Sequence, residues 1–278
     1  MKVDSKFSLK DKTCLITGAC GLLGKEHAVA LLQTGCKVIL TDIVEKDLDK
    51  TKEELSKDWD LSDIYIHKMD VTKQDDVEGV SKSILESGLH VDILINNASI
   101  NPKINKESKP DSGTRLEDFD LNQWHQEISV GLTGAFICSK IFGSLMAKKE
   151  TGGVILNIAS DLSVIAPDQR LYFDKNKLLS DQQVKPVTYS VVKTGLIGLT
   201  RYLSTYWIGK NIRSNALSPG GVFDGQDKEF VKNISELIPL GRMASKEEYH
   251  SIIQFLCSDA SAYMNGQNIV MDGGRSVW

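Results

Sequence analysis

Seven short runs rich in β-branched and apolar residues, at 13–17, 37–41, 64–69, 92–95, 154–159, 212–216 and 268–271, recur along the chain, and most segments between them are long enough for a crossover helix. This alternation constrains the fold more than any other feature. Strands that cannot be joined by tight hairpins pair in parallel, and right-handed crossovers lay helices over the sheet. The expectation is an α/β fold, a doubly wound parallel sheet of seven strands with helices on both faces. The 278 residues fit one large domain, 1–278.

Hydrophobic residues at 41% and charged residues at 25% are ordinary globular usage, and a net charge of -4 with both signs interspersed gives no footprint for nucleic acid or an anionic membrane. Residues 1–11 show neither a signal-peptide run nor a transit pattern, and no stretch approaches the roughly 18 uncharged apolar residues of a membrane span. Cys14, Cys20, Cys36, Cys138 and Cys257 form no CxxC pair, so they read as reduced thiols, mostly small buried filler, in a cytoplasmic protein. No metal site is expected.

Between the strands, residues 121–149 carry Trp124, Ile128, Leu132, Ala135, Phe136, Ser139, Phe142 and Met146 at three- and four-residue spacing, which predicts one helix, buried in the core or at an interface. Residues 101–117 and 167–185 are polar, aperiodic and hold three of the six prolines, Pro102, Pro110 and Pro167, so both read as long loops of the kind that often serve function.

After the first strand comes Thr17-Gly18-Ala19-Cys20-Gly21-Leu22-Leu23-Gly24, then a helical pattern. Glycines at 18, 21 and 24 allow a tight turn and close approach by a pyrophosphate, whose charge would sit on the amides of the helix N-terminus. Asp42 follows the second strand, 42 - 24 = 18 residues past the last glycine, where a carboxylate accepts from an adenosine ribose hydroxyl and repels a 2′-phosphate. NAD is therefore favoured over NADP. Asp70-Val71-Thr72 and Asn96-Asn97-Ala98-Ser99 follow the third and fourth strands and line the same crevice, with a helix N-cap as the lesser alternative for Asp70.

Tyr189-Ser190-Val191-Val192-Lys193 puts a phenol and an amine on one helix face. An adjacent ammonium and an oxidised nicotinamide would lower a phenol from its usual pKa of about 10, letting Tyr189 exchange a proton with a substrate oxygen near neutral pH. Ser160, ending the fifth strand, could hydrogen-bond the same oxygen.

The glycine turn, Asp42, Asp70, Asn96-Asn97-Ala98, Ser160, Tyr189, Lys193 and Pro219-Gly220, in that order, resemble the single-domain branch of the short-chain dehydrogenase/reductase family over nearly the whole chain. The resemblance implies a Rossmann-type sheet, a bound NAD, Ser160 and Tyr189 as catalytic residues, and Lys193 holding the nicotinamide ribose. It also implies a cofactor site drawn from Gly18, Cys20, Gly21, Leu22, Leu23, Gly24, Asp42, Ile43, Asp70, Val71, Asn97, Ala98, Ser99, Pro219, Gly220 and Val222, besides Tyr189 and Lys193. Asn215, Ser218 and Asp272-Gly273-Gly274 also match, and the family implies a homo-oligomer, tetramer or dimer, joined through helices starting near Leu121 and Val187.

Departures from the family pattern narrow the reading. Leu22 stands where the branch usually has its second glycine, a spacing that resembles the extended branch of sugar-nucleotide epimerases and dehydratases. Gly131 stands where an asparagine usually completes a proton relay with Lys193, so tight packing, a helix kink or impaired turnover are all open. Asp224 stands where a threonine often contacts the nicotinamide amide. Ser160 and Tyr189 are 189 - 160 = 29 residues apart, about twice the usual separation, so 167–185 reads as an inserted substrate loop. Its Arg170, Tyr172, Lys175 and Lys177 would bind a phosphate or carboxylate, unless the loop is only a solvated surface. These features look similar to members associated with bacterial surface-sugar or nonulosonate (flagellin glycan) pathways, on residues 160–170 and 189–200. The expected activity is reversible NAD-dependent oxidation of a secondary alcohol to a ketone on a polar substrate such as a sugar or sugar nucleotide. A catalytically impaired nicotinamide-binding regulator and an NAD-retaining epimerase or dehydratase are the alternatives.

Overall fold

The computed structural model describes residues 3–101, 113–178 and 181–278. Its strands are β1 (Thr13–Thr17), β2 (Lys37–Asp42), β3 (Ile64–Lys68), β4 (Ile93–Asn96), β5 (Gly153–Ile158), β6 (Ile212–Pro219) and β7 (Asn268–Met271). They form a seven-stranded sheet in the order β3-β2-β1-β4-β5-β6-β7, parallel at every junction. The helices are α1 (Val3–Phe7), α2 (Leu22–Leu32), α3 (Glu45–Leu55), α4 (Gln74–Glu86), α5 (Leu121–Ile128), α6 (Gly134–Met146), α7 (Val187–Tyr206), α8 (Lys228–Ser235) and α9 (His250–Cys257). This is the doubly wound, Rossmann-type arrangement expected from the spacing of the runs.

Successive strand residues point to opposite faces. Cys14 and Ile16 of β1 and Val38 and Leu40 of β2 pack into the core that also holds Leu31, Leu48 and Ile253 from α2, α3 and α9. Leu15 and Ile39 face the other core, with Val77, Phe142 and Leu203 from α4, α6 and α7. Both faces are covered, which is why the strands read as unbroken apolar runs. Each fully buried leucine or isoleucine contributes about 1.5–3 kcal/mol.

The predicted helix at 121–149 is present but interrupted: α5 passes into a π-helical turn, Ser129–Thr133, before α6. A π turn adds a residue to the winding, so the three- and four-residue stripe breaks there. Ala135, Cys138, Phe142 and Met146 point inward, whereas Phe136 is 51% exposed. By length and composition alone the span Leu121–Met146 would pass for a membrane-crossing helix, its most apolar 18-residue window having a mean hydropathy of 1.5, although Glu127 and Lys140 leave no 18 uncharged residues in a row, as the sequence led one to expect. It is a core helix all the same, since α6 packs on α4, β4 and β5. The predicted loop at 101–117 falls largely on residues 102–112, including Pro102 and Pro110, which lie outside the described residues, as do 179 and 180 of the second loop.

Candidate active site

The sheet order reverses between β1 and β4, and a cavity of about 960 Å³ opens there along the carboxyl ends of the strands. That is where open α/β sheets bind ligands, and the volume lies in the usual range for small-molecule sites. A second hollow, about 180 Å³ between α4 and α6, is mostly apolar and holds none of the predicted groups.

The glycine turn is locked to the β4 turn. Asn97 Nδ2 donates to the carbonyls of Thr17 and Gly18 at 3.0 and 2.9 Å, and Thr17 Oγ1 accepts from the amides of Asn97 and Ala98 at 3.0 Å each. Gly18 has φ +61°, and a Cβ there would meet Ala98 Cα at 2.8 Å. A Cβ on Gly24 would meet the Gly18 carbonyl at 2.3 Å, so Gly24 supports the turn from behind and does not line the cavity. Cys20 is likewise behind the wall, its amide donating to Asp42 Oδ2 at 3.1 Å and its thiol pushed up to about 11 by burial. The other predicted cofactor positions, Gly18, Gly21, Leu22, Leu23, Asp42, Ile43, Asp70, Val71, Asn97, Ala98, Ser99, Pro219, Gly220 and Val222, all line the cavity. Gly21 meets nothing closer than 3.4 Å, which leaves its open side for a ligand. Asp70 is not the N-cap of α4, which is Lys73. Its Oδ1 accepts from the Thr72 amide and hydroxyl, at 3.0 and 2.7 Å. A dinucleotide fits this chain: the cradle is one that side chains would fill, and it ends at a carboxylate.

Ser160, Tyr189 and Lys193 converge on the same cavity. Ser160 lies two residues past β5, in an extended conformation, and caps the short turn that follows, while Tyr189 and Lys193 project from the first turns of α7. Lys193 Nζ donates to the Ile158 carbonyl at 2.8 Å and lies 5.7 Å from the centroid of the Tyr189 ring. The expected lowering of the phenol is not what this chain's own groups produce. Burial pushes Tyr189 above its ordinary value, a hydrogen bond with Ser160 opposes the shift, and the charge of Asp161 adds to it. Burial, with Lys185 nearby, pushes Lys193 down to about 8.

Sequence reasoning missed Asp161 and Arg275. Ser160 Oγ donates to Asp161 Oδ1 at 2.9 Å, and Arg275 Nη1 binds Asp161 Oδ2 at 2.7 Å with both side chains buried. The turn that presents Arg275 is held by Asp272, whose carboxylate accepts from the amides of Gly274 and Ser276. No local pattern announces a pair separated by 114 positions.

The insert is ordered over its described residues. Gln182 spans it, accepting from the Asp174 amide at 2.8 Å and donating to the carbonyls of Asp174 and Lys177 at 2.7 and 3.0 Å. Leu171 packs with Ile234, Ile238 and Met243, and Tyr172 meets Phe230 with ring centroids 5.8 Å apart. The insert therefore docks on the segment after Pro219, and Tyr172 reaches the cavity. Arg170 does not: it is 87% exposed and grips Asp168 with two hydrogen bonds of 2.9 and 2.7 Å. Lys175 and Lys177 also stay off the cavity wall. Asp224 does line it.

Gly131 proves to be both tightly packed and at a distortion. It sits in the π turn, where a Cβ would meet Val192 Cγ1 at 2.5 Å and Ser99 Oγ at 3.4 Å. The chain brings α7 so close that no side chain fits there.

A family model described as "Enoyl-(Acyl carrier protein) reductase" matches residues 18–276. The chain is 29% identical to an NAD-dependent glycerol dehydrogenase of Listeria innocua, over 99% of this chain and 97% of that protein. It is 30% identical to a 2-dehydro-3-deoxy-D-gluconate 5-dehydrogenase of Dickeya dadantii, over 96% of each. A crystal structure of a short-chain dehydrogenase from Leptospira borgpetersenii with bound NAD+ superimposes with a TM-score of 0.82 at 29% identity, covering 100% of this chain and 96% of that one.

Proposed function

Because the chain belongs to the short-chain dehydrogenase/reductase family and is an NAD-dependent oxidoreductase acting on small polar alcohols or ketones, we propose that it interconverts a secondary alcohol and a ketone on a polyhydroxylated substrate of the sugar or sugar-nucleotide kind. The observation that carries this reading is the meeting of Ser160, Tyr189 and Lys193 at the end of the glycine-lined cavity.

NAD, when bound, supplies the two-electron acceptor for the hydride of the carbinol carbon. Gly18, Gly21 and Leu22 would receive its pyrophosphate, Asp42 its adenosine ribose, and Lys193 its nicotinamide ribose. Tyr189 Oη takes the hydroxyl proton during oxidation and returns it during reduction. Burial raises its resting proton affinity, so the phenol rests protonated, and the charges that would lower it for oxidation are the Lys193 ammonium and the oxidised nicotinamide. Ser160 orients the substrate oxygen, and its own hydroxyl is aimed by Asp161 and, through it, Arg275. The insert and the segment after Pro219 cover the substrate. We further propose that the chain works as one catalytic domain in a cytoplasmic homo-oligomer joined through α5 and α7, where Leu121, Tyr202 and Tyr206 are exposed. The narrower setting, surface-sugar or nonulosonate modification, rests only on residues 160–170 and 189–200.

The test is NADH formation from NAD across a panel of polyols, sugars, sugar acids and nucleotide sugars. Tyr189→Phe is expected to lower kcat by about 10² to 10⁴ with NAD affinity retained. Turnover that survives the substitution overturns the mechanism.

A further inference from the structure

The insert ends on Lys185, a cation outside the predicted anion set. Four residues before Tyr189, it is gripped through its backbone by Gln169, which accepts from the Lys185 amide at 2.8 Å and donates to its carbonyl at 3.3 Å. Its Nζ stands 3.8 Å from the centroid of the Tyr189 ring, donates to Asn101 Oδ1 at 2.7 Å, and lines the cavity. An ammonium has three donors. The Asn101 oxygen and the ring face take two directions, so the third is left for the cavity.

The carboxylates on the cavity wall do not neutralise it. Asp42 and Asp70 stand at the glycine end, Asp161 is paired with Arg275, and Asp224 and Asp227 belong to the segment after Pro219. Among the described residues none of them lies within 4 Å of Lys185 Nζ, and Lys193, the neighbouring cation, donates to a carbonyl rather than to a carboxylate. Partial burial pushes Lys185 down to about 8, against the pull of Asp161 and Glu127, and leaves it charged at neutral pH. Two ammonium groups near one phenol leave this end of the cavity short of negative charge.

We infer that Lys185 binds an oxyanion of the substrate, a carboxylate or a phosphate, carried within a few bonds of the carbon that is oxidised. The inference rests on the oxidoreductase reading and narrows its substrate class. It gives the long insert a purpose, that of holding a point charge against the catalytic phenol, and it replaces Arg170 in the anion role. A lysine suits the task because its compact charge needs no forked partner.

The experiment uses the full chain saturated with NADH, which cannot react with an alcohol. Isothermal titration with D-gluconate, D-glucitol 6-phosphate and D-glucitol separates a carboxylate from a phosphate, and both from the uncharged skeleton. At least one anion is expected to bind about tenfold tighter than D-glucitol, Lys185→Gln to reduce that ratio to about threefold or less, and Lys185→Arg to keep most of it. NADH affinity of the same variants reports whether the cleft is folded. Equal binding of all three ligands, binding of none, or a ratio unchanged in Lys185→Gln overturns the inference. NADH formation that disappears in Tyr189→Phe keeps the oxidoreductase reading in any of these cases.

Discussion

Replacing Arg275 with methionine tests the structural claim closest to the chemistry. The substitution keeps much of the side-chain length but leaves Asp161 Oδ2 buried without a partner, while Oδ1 still accepts from Ser160. Unit charges 2.7 Å apart attract by about 6 kcal/mol at an effective dielectric of 20. Desolvation offsets much of that attraction, so breaking a pair this buried costs about 3–5 kcal/mol. Unfolding entropy of about 2.1 cal/mol/K per residue over 278 residues is about 0.6 kcal/mol/K, so Tm should fall by about 5–9 °C. Circular dichroism at fixed protein concentration measures this. Asp161→Asn in the Arg275→Met background removes the orphaned charge, so the double variant should lose about 2 kcal/mol less than the sum of the single losses. Arg275→Met should also lower kcat more than it raises KM, because Asp161, no longer anchored through Oδ2, holds the Ser160 hydroxyl less firmly in one direction. A loss below about 1 kcal/mol, or an additive cycle, would refute the argument.

Two further outcomes follow from packing and burial. Gly131→Asn should cost about 1–3 kcal/mol in urea unfolding through the Val192 contact, and Val192→Ala in the same chain should recover most of it; full stability of the single variant contradicts the close approach. His27 is fully buried, and burial pushes it from 6.5 down to about 3. Between those values the unfolded chain binds more protons, so its contribution is whole above about 6.5 and is lost as pH falls toward 3. Wild type should lose about 2 kcal/mol from this source between pH 7 and 5, a loss absent in His27→Leu; equal slopes in both proteins would count against it.

The sheet was readable because period-2 faces and crossover lengths are local properties, and the glycine turn because its backbone demands are local too. Cys20 and Gly24 belong to the glycine motif but not to the cavity wall, because a motif does not say which of its residues face out. The π turn was hidden, since an added residue in a helix leaves no signature beyond a glycine that equally fits close packing. Arg170 looked like an anion ligand until its neighbour Asp168 claimed it. Asp161 with Arg275, and Lys185 over Tyr189, depend on how distant segments fold together, which spacing alone does not encode.

The insert brings its own fastenings: Gln182 tied across its backbone, and Leu171 and Tyr172 seated on Ile234 and Phe230. None of these touches the Gly18 and Ala98 backbone contact that shapes the coenzyme cradle. The molecule is thus divided like a tool with a fixed handle and an exchangeable bit. Transplanting this stretch together with α8 into a relative should carry preference for one alcohol over another and leave the choice of coenzyme where it was.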